Sequence, residues 1–199
     1  MIDKALRFLT DELNAYLDLQ NGVSSGGDPI IVLSNVSDNV SGGLAIPINK
    51  LGVSLINIEE EKVFKEQQTN FRNADGEFEQ YNPEIKLNLY MLVSANFESE
   101  NGDDKYEQGL KQLSRVISFF QGKNVFTPDN SPALDASLKK LVVELYSYSF
   151  EQQYNFWTVL GAKYLPSVLY KVRLLAFQEK RLLNQNEPIT SFTLQLSDK

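Results

Sequence analysis

The strongest constraint on the fold is the segment 84–96, in which apolar and more polar residues alternate. Its odd positions, from Ile85 to Ala95, are apolar, whereas its even positions include Lys86 and Asn88. Because successive side chains of a strand point to opposite faces, this alternation predicts a long β-strand with one dry face. Such a strand needs neighbouring strands and a helical layer to cover its apolar side.

Two amphipathic patterns can supply that layer. Apolar residues recur every three or four positions over 2–20 and again over 104–121, the spacing of one helix face. In the second helix these residues are Tyr106, Leu110, Leu113, Ile117 and Phe120, and Val116 and Phe119 widen the apolar side. Both segments are therefore predicted to be helices packed on a sheet.

Shorter patterns predict the remaining elements. Strands are expected at 30–33, 51–59, 138–150 and 168–178, a short helix at 151–162, and a last strand in the tail at 188–196. The strand at 30–33 should be buried on both faces if it is central, and Leu51, Val53, Leu55 and Asn57 should share one face. The order of these helices and strands along the chain predicts an α+β fold with a mostly antiparallel mixed sheet and helices packed on it. One domain over 1–199 is expected, with 179–199 as a C-terminal tail.

The composition excludes several kinds of chemistry. The chain has no histidine and no cysteine, which removes the usual general base, the usual strong nucleophile and thiolate metal sites. Its 19 basic and 26 acidic residues give a net charge of -7, which disfavours nucleic acid as a partner. The apolar runs are too short to span a bilayer, so no direct membrane insertion is expected.

Carboxylates are the remaining candidates for catalysis or metal binding. The run Glu59, Glu60, Glu61 could in principle hold a metal ion, but consecutive strand residues point to opposite faces and do not converge easily. A solvated strand edge is the preferred interpretation. No catalytic residue, metal site or cofactor is therefore predicted, and an enzyme that uses carboxylates is the weaker alternative.

Other patterns indicate contact surfaces. Aromatic residues concentrate in the second half of the chain, where they serve either the core or an interface. The exposed, β-compatible segments at 59–68 and 188–196 are candidate edges for strand addition, through Glu60, Lys62, Phe64, Ile189, Phe192 and Leu194. The polar excursion at 69–83 carries the turn signal Asp75-Gly76 and is either a contact surface or a solvent loop. Its candidate contact residues are Phe71, Arg72, Phe78 and Tyr81.

Five strings, in this order along the chain, carry a resemblance to a known family. They lie at residues 54–61, 87–95, 113–121, 157–161 and 164–172, and read SLINIEEE, LNLYMLVSA, LSRVISFFQ, WTVLG and YLPSVLYKV. Together they resemble the tail-terminator, or cap, family of contractile injection systems, which are phage-tail-like particles. The resemblance covers roughly residues 2–178.

This resemblance implies a non-enzymatic structural protein with a fold similar to phage tail terminators. It implies a homo-hexameric ring that binds the inner tube protein and the sheath protein at the distal end and stops their polymerisation. Assembly in the cytoplasm and release within an extracellular particle are expected. Another adaptor or baseplate component of the same particle is the alternative.

Overall fold

The structure is a computed structural model that describes residues 1–22, 28–38, 42–61, 70–72, 78–81, 85–98, 105–177 and 182–186. Of residues 70–72, 78–81, 85, 175–177 and 182–186, it describes the backbone. In chain order the elements are α1 (Ile2–Asn21), β1 (Ile31–Leu33), β2 (Lys50–Glu60), β3 (Asn70–Arg72), β4 (Phe78–Tyr81), β5 (Ile85–Asn96), α2 (Lys105–Gly122), β6 (Val125–Phe126), β7 (Lys140–Leu145), α3 (Phe150–Leu160), β8 (Ser167–Phe177) and β9 (Leu182–Asn186).

A six-stranded sheet organises the molecule, with strand order β1-β2-β5-β8-β7-β6. The β1–β2 pair is parallel, and every other pair in this sheet is antiparallel. A second, three-stranded sheet has the order β3-β4-β9 and is antiparallel throughout. The prediction of an α+β fold with a mostly antiparallel mixed sheet is confirmed.

Helices α1 and α2 cover one face of the six-stranded sheet, called here the two-helix face. Leu9 and Leu13 of α1 and Val116 of α2 are buried in one apolar cluster with Met91 and Val93 of β5. Tyr16 of α1 lies 5.1 Å from Phe119 of α2, measured between ring centroids, which ties the two helices together. Burial of these apolar stripes is the main source of helix stability, because isolated helices of this length are marginal in water.

Helix α3 covers part of the opposite face. Its N-terminus has a capping box, in which Ser149 accepts from the backbone N–H of Gln152 while the Gln152 side chain accepts from the Ser149 N–H. Trp157 then packs against Leu92 and Leu169, which project from the sheet on this side. Strand β5 is therefore buried on both faces around its centre, so the prediction of a single dry face is wrong there.

The observed strands differ from the predicted ones at several points. Strand β7 ends at Leu145, short of the predicted limit at Phe150, because Ser149 caps α3. Strands β3, β4, β6 and β9 were not predicted as strands. The predicted strand at 30–33 is confirmed as β1, but it forms an edge of the sheet, so the condition for burial on both faces is not met and Leu33 is exposed.

A further correction concerns the face of the sheet to which the side chains of β2 point. A bulge between Leu55 and Asn57 shifts the pairing with β5 by one residue, so that Leu55 pairs with Met91 but Asn57 pairs with Tyr90. Met91 and Tyr90 point to opposite faces of the sheet. Asn57 therefore does not share the face of Leu51, Val53 and Leu55.

Candidate assembly surfaces

The first edge of the six-stranded sheet is closed by a side chain of α1. Asn14 donates from Nδ2 to the carbonyl oxygen of Ile31 and accepts at Oδ1 from the Ile31 N–H, and both distances are 2.9 Å. The amide thus makes the two hydrogen bonds that a further strand would make. A free strand edge is a template for another chain, so Asn14 blocks strand addition at β1.

A second asparagine acts at the opposite edge. Asn130 donates to the carbonyl oxygen of Val125 in β6 over 3.0 Å and accepts from the backbone N–H of Thr127 over 2.9 Å. Strand β6 is also only two residues long. Short strands with locally satisfied backbone groups are poor templates, so both outer strands of this sheet are protected.

The outer half of β2 is a strand edge of a different kind. Strand β1 pairs with Leu51–Val53 alone, so beyond Ser54 no described strand adjoins β2 on that side. Here the Asn57 side chain accepts from the N–H of Ile58 over 2.9 Å. The side chains from Asn57 to Glu60 are exposed, in agreement with the predicted solvated edge.

Two of the three consecutive glutamates are engaged by β5. Tyr90 donates its hydroxyl to Oε2 of Glu59 over 2.8 Å, and Asn88 donates from Nδ2 to Oε2 of Glu61 over 3.1 Å. Partial burial and, to a smaller extent, the neighbouring Glu59 carboxylate raise the pKa of the Tyr90 hydroxyl to about 12. Within the described residues, no group of carboxylates that could hold a metal ion is found. These glutamates therefore serve as hydrogen-bond acceptors on the sheet face.

The small sheet brings together the contact residues predicted at 69–83. Phe71 and Arg72 lie in β3, Phe78 and Tyr81 lie in β4, and Arg72 is the register partner of Phe78. Within the described residues, the predicted excursion therefore contains an antiparallel pair of strands, β3 and β4, called here the hairpin. Tyr81 pairs with Leu182 of β9, so this hairpin adjoins the strand that precedes the C-terminal tail.

Of the six other predicted contact residues, the structure describes Glu60 alone. Glu60 ends β2 and its side chain is exposed. The remaining five lie outside the described residues, and these are Lys62, Phe64, Ile189, Phe192 and Leu194. The predicted strand at 188–196 also lies outside them.

A groove separates α3 from the sheet. It has a volume of about 450 Å³, and its sheet side carries Ile56, Tyr90 and Leu169 while its helix side carries Phe156 and Val159. Tyr146 and Tyr90 meet edge to face in it, with ring centroids 5.2 Å apart. No charged side chain other than Glu59 is among the described residues that line it. The groove is suited to an apolar side chain of a protein partner rather than to acid–base chemistry.

A second groove, of about 440 Å³, lies on the two-helix face between the end of α2 and strands β7 and β8. Ile117, Leu145 and Tyr170 are among its lining residues. The Tyr170 ring is buried, and its hydroxyl has no hydrogen-bond partner among the described residues. Burial raises the pKa of this hydroxyl well above its usual range, so it stays protonated and able to donate.

The aromatic residues of the second half divide between the core and the surface. Phe120, Trp157 and Tyr170 are buried, whereas Phe150 and Tyr164 are exposed. The core alternative therefore holds for the first group and leaves the second available for an interface. None of the described helices is both long enough and apolar enough to cross a membrane.

The chain is similar to known proteins in both sequence and fold. Residues 5–191 match the family described as the Pvc16 N-terminal domain. A PVC sheath/tube terminator of an extracellular contractile injection system, in its extended state, is 13% identical and superposes with a TM-score of 0.56. That match covers 94% of this chain and 62% of the terminator. No curated protein sequence matches the chain.

A second solved structure has the same fold. The anti-feeding prophage cap, a tube terminating cap, is 13% identical with a TM-score of 0.55, and the match covers 83% of this chain and 54% of the cap. The chain thus spans less than two thirds of the length of either structure. At this identity the two structures establish a shared fold.

Proposed function

Because the chain belongs to the Pvc16 N-terminal domain family, we propose that it caps the distal end of the inner tube and sheath of a contractile injection system. The cap is a hexameric ring that binds the last tube layer and the last sheath layer. It terminates polymerisation and thereby sets the length of the particle. The family match over residues 5–191 is the observation that carries this proposal.

The resemblance drawn from the five sequence strings is confirmed by this match and by the likeness to two terminator structures. One of these structures is a sheath/tube terminator and the other a tube terminating cap, which supports the prediction of a non-enzymatic, structural protein. The length control, the hexamer and the individual contacts are parts of the proposal.

The protected edges of the six-stranded sheet support a terminating role. A terminator has to bind the end of a polymer without offering its own free side as the next template. Asn14 and Asn130 satisfy backbone groups of β1 and β6 that another strand would otherwise pair with. Binding is then directed to side-chain surfaces and to the small sheet.

The small sheet is the proposed site at which a strand of the sheath protein is added. In the order β3-β4-β9, the outer strands β3 and β9 each pair with β4 on one side. Main-chain pairing with an extended arm of the last sheath subunit would lengthen this sheet by β-augmentation. The tail after β9, with Ile189, Phe192 and Leu194, supplies apolar residues for such pairing.

The hairpin residues Phe71, Arg72, Phe78 and Tyr81 are the proposed ring or tube contacts, since aromatic residues and arginine are enriched at interfaces. Six copies of one head-to-tail contact close a ring, and the ring multiplies weak contacts to the tube end. Assembly takes place in the cytoplasm, and the finished particle acts after release.

Deleting residues 187–199 tests the sheath contact. Particles assembled with the truncated chain should show bare tubes or poorly capped sheaths in electron micrographs. A matched variant keeps the tail length but replaces Ile189, Phe192 and Leu194 by serine, and the same defect is expected because the apolar side chains carry the pairing. Normal particle length and normal cap occupancy with both variants would contradict the proposed role of the tail.

Labelling tests the position of the protein in the particle. A tag fused to the N-terminus of the full chain should be found at the end opposite the baseplate. A label at the baseplate end would instead support the alternative, an adaptor or baseplate component.

A further inference from the structure

The groove between α3 and the six-stranded sheet is walled by aromatic rings. Tyr90 and Tyr146 meet edge to face with ring centroids 5.2 Å apart, and so do Tyr148 and Phe156. All four rings are among the residues that line the groove, and each is partly buried. Because edge-to-face contact is a preferred arrangement of aromatic pairs, each pair holds its two rings in place. The groove therefore has preformed apolar walls.

The groove also offers hydrogen-bond donors. In the capping box the carbonyl oxygen of the Gln152 side chain accepts the Ser149 N–H, which leaves the amide N–H groups of Gln152 free. Asn155 lies about one turn later on α3 and is exposed. Within the described residues, neither its amide nor the Tyr146 hydroxyl has a hydrogen-bond partner. Three donors thus adjoin an apolar groove, which suits an apolar ligand that carries free acceptors.

Two common ways of binding a peptide are disfavoured at this groove. Addition of a strand to the nearby edge of β2 is hindered by the bulge after Leu55 and by the Asn57 side chain, which already accepts the Ile58 N–H. A helix about 10 Å across fills roughly 420 Å³ per turn, so a groove of about 450 Å³ accommodates one turn. Recognition of a helix in a groove uses anchors over about two turns. An extended segment that does not pair as a strand fits better than either.

From these features we propose that the groove binds a proline-containing segment of a partner protein in the polyproline II conformation. Aromatic-lined grooves recognise such segments, because proline rings pack flat on aromatic faces. The backbone of the segment makes no internal hydrogen bonds, so its carbonyl oxygens are free to accept from Tyr146, Gln152 and Asn155. Proline also fixes φ, so little conformational entropy is lost on binding. This contact is additional to those of the small sheet and the tail, so it goes beyond the proposed function.

The charge of the groove indicates what accompanies the prolines. Glu59 is the one charged side chain among the described residues that line it, and its two carboxylate oxygens accept from Asn57 and Tyr90. Lys171, the register partner of Tyr90, lies on the same face of the sheet but is not among the lining residues. A carboxylate fixed beside aromatic rings suits an arginine, which pairs with the carboxylate and stacks on a ring. The segment should therefore carry an arginine next to its prolines.

The single tryptophan of the chain provides the signal for a direct test. Trp157 lies 5.7 Å from Phe156, measured between ring centroids, so a ligand that enters the groove should change its fluorescence. The probe is a hexapeptide of five prolines and a C-terminal arginine, blocked at both ends and titrated into the full chain. A saturable change is expected. The same hexapeptide with glutamate in place of arginine should bind about fivefold more weakly.

A flexible peptide and two variants test the basis of recognition. A hexapeptide that keeps the arginine but replaces the prolines by glycine and serine should bind about tenfold more weakly, because it lacks the rings and loses more conformational entropy. Tyr146→Leu removes a ring face and a hydroxyl, and Asn155→Ala removes an amide at an exposed helical position where alanine is well tolerated. Each variant should bind the proline hexapeptide about fivefold more weakly. Tyr154→Ala is the matched control and should bind as wild type, because Tyr154 is exposed on α3 but does not line the groove.

Three results would overturn the inference. These are no saturable change with the wild-type chain, equal affinity for the flexible peptide, and an affinity that neither variant changes. If melting experiments show that Tyr146→Leu does not fold, Asn155→Ala alone decides the last of these. Binding is measured on the isolated chain, so a chain that caps tubes but does not bind the hexapeptide refutes this inference and leaves the capping function intact. Binding by a chain that is absent from particle ends has the opposite meaning.

Discussion

Replacing Asn14 by alanine removes the side chain that closes the first edge of the six-stranded sheet. The substitution deletes two hydrogen bonds of 2.9 Å, one to the N–H and one to the carbonyl of Ile31. Ile31 is buried, so water regains these backbone groups only in part. Each lost bond is worth about 1 kcal/mol net, and incomplete rehydration adds to this. We therefore expect a loss of about 2 kcal/mol in the free energy of unfolding.

Urea denaturation followed by circular dichroism measures this loss. The midpoint should fall while the slope stays constant, because the surface exposed on unfolding hardly changes. For a domain of this size, about 2 kcal/mol corresponds to a fall in melting temperature of about 4–8 °C. Asn14→Asp keeps the acceptor for the Ile31 N–H but loses the donor, so it should fall between wild type and Asn14→Ala at neutral pH.

Gln20→Ala is a suitable control, since Gln20 is exposed on the same helix and alanine is a good helix former. It should change stability by less than about 0.5 kcal/mol. If Asn14→Ala also changes stability by no more than this, the amide does not hold the edge strand and the reasoning is refuted. Opening the edge should also increase aggregation at high concentration, which light scattering detects.

Two further predictions concern packing and pH. At Gly52 an added Cβ would lie 2.5 Å from Cδ1 of Ile46, so Gly52→Ala should destabilise the fold by about 1–3 kcal/mol in urea titrations. At Gly122 an added Cβ meets no atom within 4 Å, so Gly122→Ala serves as the control and should be neutral or slightly stabilising. The pKa of Tyr90 is raised from 10.0 to about 12 in the folded state, so its contribution to stability is complete below pH 10 and is lost as the pH rises toward 12. Tyr90→Phe should therefore lose less stability than wild type over that interval in melting experiments, and an identical loss would contradict the assigned environment.

Much of the fold follows from local patterns. The helices at 2–20 and 104–121 and the strands at 51–59, 84–96 and 168–178 were predicted close to their observed limits. Amphipathic periodicity is a property of a few consecutive turns or residues, so it can be read without knowing the neighbours. The family resemblance likewise depends on ordered strings, and the match over residues 5–191 confirms it.

Predictions that depend on the neighbours were less successful. The two dry faces of β5 could not be inferred, because Leu92 is buried by Trp157, which is remote in sequence. The bulge after Leu55 moves the following side chains of β2 to the opposite faces of the sheet, and no glycine in the sequence marks its position. The spread of apolar residues around α3 is a usable signal, since Phe150, Tyr154 and Val159 beside Trp157 cannot all face one sheet.

The sequence by itself determined the main helices, the long strands, the absence of histidine and cysteine chemistry, and the family. Only the tertiary structure decided which strand edges are closed and which apolar residues stay exposed. Asn14 and Ile31 are 17 residues apart, and their hydrogen bonds exist only because α1 lies across the outer strand. Edge closure and exposure are relations between elements, and they depend on packing that no local pattern contains.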